Sequence, residues 1–499
     1  MASRRGVLAR LGTLVNRDRA IERLRSELFD VLIIGGGATG LGAAVDAASR
    51  GYRTALIEAA DFAAATSSRS TKLIHGGVRY LRQGNIALVQ EALHERTLLL
   101  RNAPELVHEL PFIVPAYGLG DFVYYSAGLK AYDVLAGKSD VPRSRIISPR
   151  TAATHIPALN IQRMRGAIMY TDAQFDDARL ALALARTAHD LGAVVANYTH
   201  ADAFVVQNGV LCGAAAVDRE SGERLRIDAR AVINATGIFA DRLRRIDNPA
   251  AEPLLTFSRG THVVLPSRVL GEARTALLIP KTADKRVLFA LPWNDRTLVG
   301  TTEVAVAHAE LDPRATDEEI HYLLATLNPY LRSPVSEHDV TSAWAGLRPL
   351  IRRRAVRTAQ LSREHFIEVS PAGLVTVTGG KWTTYRKMAQ DAVDTAAARA
   401  QLPSVACKTA ELRLHCYETP FLMPLDERVA FAAREEMART VEDVLGRRTR
   451  ALFLDAKGAR DEAPRVAAAL ARQLGRSTEW ETEQMRAFNA VTSRYRGVA

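Results

Sequence analysis

Hydrophobic and polar positions follow several distinct patterns along the chain. Val31–Ile34 is apolar at every position, as in a parallel strand buried on both faces. The alanine-rich run Leu41–Ser49 reads as a helix, Gly51 ends it, and Thr54–Ile57 reads as a second strand. Apolar residues recur at helical spacing over 86–102, over Phe122–Leu135 and from about Asp176 to Leu191, and a strand follows at Val194–Tyr198. "LPFIVPAYG" is an extended segment. Residues 210–234 read as two alternating strands about a Ser221-Gly222 turn, ending in a third, apolar strand at Ala231–Asn234. Strand signals dominate 251–365, with "THVVLP", "TALLIP" and "RVLFALPWNDRTLVGTTE", and Trp293-Asn294-Asp295 forms a hairpin loop. Leu374–Val377 is a further apolar strand, and from about 401 the pattern is helical, with "EEMARTVEDVLGRRTRALFLDA" as one amphipathic helix.

This order gives an α/β chain. It divides into a basic N-terminal extension (1–28) and a Rossmann-like domain assembled from 29–115, 166–250 and 366–400. An antiparallel sheet domain for substrate (116–165 and 251–365) and a C-terminal helical domain (401–499) complete it. No internal repeat or low-complexity tract interrupts it.

Composition alters this picture little. A formal charge of +11 suits an anionic substrate, a nucleic acid or an anionic membrane without choosing among them. Aromatic residues are only 6% and none interleave with basic runs, which speaks against nucleic acid. Cys212, Cys407 and Cys416 are odd in number and never spaced C-x-x-C, so neither a disulfide scaffold nor a zinc site is expected, no metal is read, and a reducing cytoplasm is the default. The N-terminal 28 residues lack a signal-peptide core and read as a basic amphipathic helix, either a solvated surface or an anchor to anionic lipid.

The chemistry begins at "GGGATG". Gly35, Gly37 and Gly40 form G-x-G-x-x-G between strand and helix: a tight turn, a close approach to pyrophosphate, and room for helix on strand. The helix N-terminus offers free N–H groups to phosphates. Glu58 ends the second strand about twenty residues on, where a carboxylate accepts from ribose hydroxyls. A glutamate there fits FAD or NAD. The next stretch, "TSSRSTKLIHGGVRYL", turns the reading to a flavin, because Thr66, Ser67, Ser68, Ser70 and Lys72 are donors for a ring, His75 packs beside it, and glycines let the loop lie close. Two later loops repeat the strand-to-glycine theme: "INATG" with Ala235, Thr236 and Gly237, and "TGGKWTTYRK" with Gly379, Gly380, Lys381, Thr383 and Thr384. The strand-rich region carries a row of basic residues, Arg259, His262, Lys285, Arg286, Arg348 and Arg363.

The series "GGGATG…TSSRSTKLIHGGVRYL…INATG…RGTHVVLP…WAGLRPL…TGGKWTTYRKMA…EEMARTVEDVLGRRTR" resembles the FAD-dependent glycerol-3-phosphate dehydrogenases, within the D-amino-acid-oxidase-like flavoproteins. The resemblance spans roughly residues 29 to 499. The N-terminal 28 residues are an extension, the stretch between Leu414 and Arg434 is short beside the family's C-terminal domain, and "ATG-Ile-Phe-Ala-Asp" departs mildly from its usual continuation.

The resemblance implies oxidation of sn-glycerol 3-phosphate to dihydroxyacetone phosphate, hydride transfer from C2 to flavin N5, and electrons passed to a membrane quinone. It implies Arg79, Arg348 and Arg363 as the clamp on the phosphate, with Tyr80 adding a hydroxyl. His262 is the candidate base and a substrate contact, and Lys381 with Arg348 stabilises developing negative charge. The alternative is a related FAD enzyme acting on an amino or 2-hydroxy acid, which needs fewer cations. A peripheral contact at the inner face of the cell membrane is expected from the basic N-terminus and the Arg447-Arg448-Arg450 cluster; oligomeric state, a homodimer included, stays open.

Overall fold

The computed structural model describes residues 16–77, 85–137, 141–283, 286–352, 365–416 and 423–495. Its first strands are β1 (Leu28–Ile34), β2 (Thr54–Ile57), β3 (Leu73–Ile74), β4 (Val107–Ala116), β5 (Arg145–Ile147), β6 (Gly166–Phe175), β7 (Val194–Ala196), β8 (Thr199–Gln207) and β9 (Val210–Asp218). There follow β10 (Arg224–Asn234), β11 (Leu255–Pro266), β12 (Ala276–Ile279), β13 (Leu288–Trp293), β14 (Arg296–Gly300), β15 (Val304–Val306), β16 (Ser342–Ile351), β17 (His365–Val369) and β18 (Leu374–Gly379). The helices are α1 (Arg17–Ser26), α2 (Ala38–Ser49), α3 (Ile86–Asn102), α4 (Leu119–Leu135), α5 (Pro149–His155), α6 (Asp177–Asp190) and α7 (Ala240–Asp247). After them come α8 (Asp317–Leu327), α9 (Tyr385–Arg399), α10 (Leu425–Glu435), α11 (Ala451–Leu454), α12 (Ala456–Leu474) and α13 (Thr478–Thr492).

Two sheets organise these elements. The first runs β17-β18-β10-β1-β2-β7, parallel from β18 to β7, with β8 and β9 attached through β10. From Val31 to Ile34 strand β1 is apolar because both its faces are covered. Val31 and Ile33 enter one cluster with Leu41, Leu180 and Met388 of α2, α6 and α9. Leu32 and Ile34 enter the other with Ile21 and Leu24 of α1. The apolar face of α1 is therefore spent on the sheet and Arg17 pairs with Asp218 at 2.5 Å, while Asp18, Arg19, Glu22 and Arg25 stay exposed, so the described part of the N-terminal helix is a solvated surface helix with no apolar face left for lipid.

Strand β10 is continuous where the sequence suggested a break. Residues 224–228 pair antiparallel with β9, and the apolar end lies between β1 and β18, so the change in pattern marks a change of neighbours. The second sheet runs β15-β11-β14-β13-β12-β4-β6-β3, with β16 on β11 and β5 on β6. Residues 107–115 and 166–175, which the sequence division left with the first domain, pair here within the second sheet. Asn294 and Asp295 both have positive φ, as a two-residue turn between β13 and β14 requires.

The C-terminal segment corrects a second expectation. "EEMARTVEDVLGRRTRALFLDA" is not one helix: α10 stops at Glu435, a π-helical turn spans Asp443–Arg448, and α11 begins after Arg450 at φ 66°. Asp443 draws the chain out of register by accepting from the backbone N–H of Arg439 and Thr440. Arg447, Arg448 and Arg450 are all buried and ion-paired, so this cluster is not a membrane-facing patch. No described helix is long and apolar enough to cross a membrane.

Candidate active site

The C-terminal edge of the parallel sheet, where β1, β2 and β10 release the chain, frames a cleft of about 250 Å³. Gly35, Gly37, Glu58, Thr66, Ser67, Ala235, Thr236 and Gly237 line it. Gly35 turns the chain at φ 117°, and a methyl group there would meet the Ala235 carbonyl oxygen at 2.5 Å. Gly40 does not line the cleft; it lets α2 sit against the loop, where a methyl group would fall 1.9 Å from the Gly35 oxygen. Helix α2 starts at Gly37 with no side-chain cap and no acid in its first turn, leaving donors and a positive dipole end for an anion. Glu58 accepts from the N–H of Gly36 at 2.6 Å and of Ala60 at 2.8 Å, while burial pushes its carboxyl up. This cradle fits the diphosphate of a dinucleotide. Arg219, Arg242 and His200 also line it, and no local motif signals them. Burial, then Arg219 and Arg242, lowers the His200 imidazole.

The polar stretch after Thr66 divides between two faces. Ser67 Oγ accepts from Ala38 N–H at 3.0 Å, and Thr66 donates to the Leu347 carbonyl at 2.7 Å. Ser68 is buried. Ser70 and Lys72 turn away from the cleft: both donate to Asp177 Oδ2, at 2.7 Å each. A buried ammonium needs a counter-ion, and Asp177, 105 residues on, supplies it. Burial still draws Lys72 down to about 7 against the pull of Asp177. His75 meets Phe289 edge-on at 6.0 Å.

The third glycine loop returns to the first. Gly379 and Gly380 have φ 80° and 67°. Trp382 Nε1 then donates to Ser67 O at 2.9 Å, and Thr383 to His75 O at 3.5 Å. Lys381 precedes this turn, and its carbonyl accepts from Thr384 N–H.

The second sheet brings up the other half. Strands β11 and β16 pair antiparallel with His262 opposite Trp344 and Ser258 opposite Arg348. His262 Nε2 lies 3.0 Å from Thr71 Oγ1, and its Nδ1 is buried without a hydrogen-bond partner among the described residues. Burial first, then Lys72 and Arg348, holds this imidazole well below its ordinary range, so it is neutral. Arg348 donates to Thr301 Oγ1 at 3.0 Å and to Thr302 O at 3.3 Å. Two glycines make the room: a methyl group at Gly260 would sit 2.2 Å from Arg348 Nη2, and one at Gly300 2.2 Å from His262 Cδ2. The remaining cations of the basic row go elsewhere, Arg259 to Glu319 at 3.0 Å and Arg286 to Glu303 at 3.0 Å. Arg79, Tyr80, Lys285 and Arg363 lie outside the described residues. Among the described residues no His, Cys, Asp or Glu group is arranged to hold a metal ion.

Comparison with known proteins agrees with this geometry. Residues 30–386 match the family described as FAD dependent oxidoreductase, and residues 400–481 match the C-terminal domain of alpha-glycerophosphate oxidase. A probable mitochondrial glycerol-3-phosphate dehydrogenase of Caenorhabditis elegans is 39% identical over 93% of this chain and 72% of its own. The mitochondrial glycerol-3-phosphate dehydrogenase of Homo sapiens is 42% identical over 77% of this chain and 55% of its own. The X-ray structure of the glycerol-3-phosphate dehydrogenase from Bacillus halodurans, complexed with FAD, superposes with a TM-score of 0.78 at 28% identity, covering 96% of this chain and 97% of that one. The chain spans between about half and three quarters of the length of the curated relatives it matches.

Proposed function

Since the chain belongs to the FAD-dependent oxidoreductases and, within them, to the glycerol-3-phosphate dehydrogenases, we propose that it oxidises sn-glycerol 3-phosphate to dihydroxyacetone phosphate. Bound FAD supplies the hydride acceptor. The parallel sheet carries the cofactor in this reading, the second sheet carries the substrate, and the residues from 401 onward cap them. The glycine loop and the N-terminus of α2 hold the pyrophosphate, Glu58 meets the ribose hydroxyls, and Thr66, Ser67 and the loop at Gly379-Gly380-Lys381 lie toward the ring.

One observation carries the proposal: a neutral imidazole and a guanidinium stand on one strand pair, joined to the cofactor loop through Thr71 and through the bond from Thr66 to Leu347 O. Arg348, fixed by Thr301 and Thr302, presents charge to the substrate phosphate. Arg79, Tyr80 and Arg363 complete the clamp by the family resemblance. His262 accepts the proton of the 2-hydroxyl, and Lys381 stabilises the negative charge that develops. Two of the groups that hold His262 down are the cations Lys72 and Arg348. A phosphate dianion bound beside them offsets that charge and raises the imidazole toward the working range of a base. Electrons then leave to an acceptor, which the family resemblance implies is a membrane quinone.

The test is an anaerobic visible spectrum of the purified protein. Bleaching of the oxidised flavin band by sn-glycerol 3-phosphate, but not by D-alanine or 2-hydroxyglutarate, is the expected result. Bleaching only by an amino or 2-hydroxy acid would replace the substrate assignment.

A further inference from the structure

The wall of the cofactor cleft between Glu58 and Ser67 is mostly alanine, at Ala59, Ala60 and Ala63 to Ala65. Such a wall has few side chains with which to fix its own shape. Its rear is fixed from the C-terminal domain. Asp61 is fully buried, and Arg447 Nε donates to its Oδ2 at 2.6 Å and Arg448 Nη2 to its Oδ1 at 2.9 Å. Arg450, also fully buried, donates to Ser68 O and to Asp177 Oδ1, each at 3.0 Å, with its guanidinium 4.4 Å over the Phe453 ring. Asp177 in turn receives Lys72 and Ser70 from the same loop. The π-helical turn and the left-handed Arg450 bring all three arginines to these carboxylates, an arrangement a regular helix would not give.

We infer that Arg447, Arg448 and Arg450 are positioning residues for the cofactor: they hold residues 59–68 in the shape that FAD meets, so that FAD binding and docking of the C-terminal helices are coupled. Coupling of this kind is reciprocal. Filling the cleft tightens the segment 443–454 behind it, and loosening that segment weakens the cleft. The inference rests on the FAD reading and is independent of the substrate.

The test uses the full chain, with and without FAD. Arg450→Gln should raise the FAD dissociation constant by about tenfold or more, inside the roughly 5–150-fold range of such couplings. Arg450→Lys, which keeps the charge but loses the fork, should recover part of that loss. Arg486→Gln, at a side chain 82% exposed, should change nothing. In the unmutated protein, FAD should slow amide hydrogen exchange at 443–454. A folded Arg450→Gln protein, with the circular dichroism and cooperative melt of the parent, that binds FAD as the parent does would overturn the inference. If that variant does not fold, exchange at 443–454 that is indifferent to FAD would overturn it equally. A protein that shows these couplings without bleaching by sn-glycerol 3-phosphate would sink the substrate assignment and leave this inference standing.

Discussion

His262 and Trp344 face one another across β11 and β16 with their rings stacked, 4.2 Å between centroids and 23° from parallel. Lys72 Nζ lies 4.8 Å from the centre of the same indole. The imidazole is thus enclosed by an aromatic ring and two cations, and it stays neutral.

That enclosure sets a pH dependence. The native pKa of His262 lies below the unfolded value of about 6.5. As pH falls below that value the unfolded chain takes up a proton that the native chain refuses, so stability is fully present above it and declines as pH drops toward the native pKa. Urea melts at pH 7.5 and 5.5, taken as roughly one unit either side of the free imidazole, should show a loss in the parent that His262→Asn reduces. The same variant should keep its flavin and lose about 10²–10⁴-fold in kcat. Undiminished turnover would remove His262 from the chemistry.

Two glycines should respond in opposite ways to one methyl group. Gly40→Ala places it 1.9 Å from the Gly35 oxygen, so the glycine loop must move and the protein should purify nearly colourless. Gly51→Ala, at φ 89° with open space around it, should cost only about 1 kcal/mol of backbone strain and leave the flavin-to-protein absorbance ratio unchanged. Full flavin content in Gly40→Ala would contradict the packing argument.

Arg348→Lys keeps a charge but cannot hold both Thr301 Oγ1 and Thr302 O. Charge-assisted bonds of this kind contribute about 1.5–3 kcal/mol each. KM for sn-glycerol 3-phosphate should therefore rise by roughly 10–100-fold, with a smaller change in kcat. Gly260→Ala should reproduce the effect by displacing the same guanidinium. An unchanged KM would take Arg348 out of the phosphate clamp.

Asp61→Asn leaves Arg448 buried beside a neutral group, while Arg447 keeps Asp443 and Glu442. Breaking a buried ion pair from one side costs about 3–5 kcal/mol. The urea midpoint should fall accordingly, and a midpoint equal to the parent's would show that Arg448 finds another partner.

How much of this was legible depended on distance along the chain. The loop at Gly35, Gly37 and Gly40, the acid at Glu58 and the turn at Gly379-Gly380 are local, so spacing alone carried them. The fate of Lys72 was not local, because its counter-ion Asp177 stands 105 residues away. Trp344 was passed over because only the register of β11 against β16 sets it on His262. The arginines at 447, 448 and 450 looked like a surface cluster because a run of cations usually is one, and their acidic partners come from Asp61 and Asp177, far upstream. Arg219 and Arg242 reach the cleft from a turn and a helix that carry no motif.

The pairing of β10 with β18 has a bearing on how the protein is made. Asn234 Nδ2 reaches Thr376 Oγ1 across 142 residues of chain, and strands β11 to β16 of the second sheet are synthesised in between. A ribosome that has released the glycine loop and Glu58 has not yet released the strand that flanks β10 or the turn that donates to Ser67 O. The nascent cofactor domain thus waits, with one side of its central sheet uncovered, until about three quarters of the chain is out. Chains arrested before residue 374 would expose that edge to solvent and to one another.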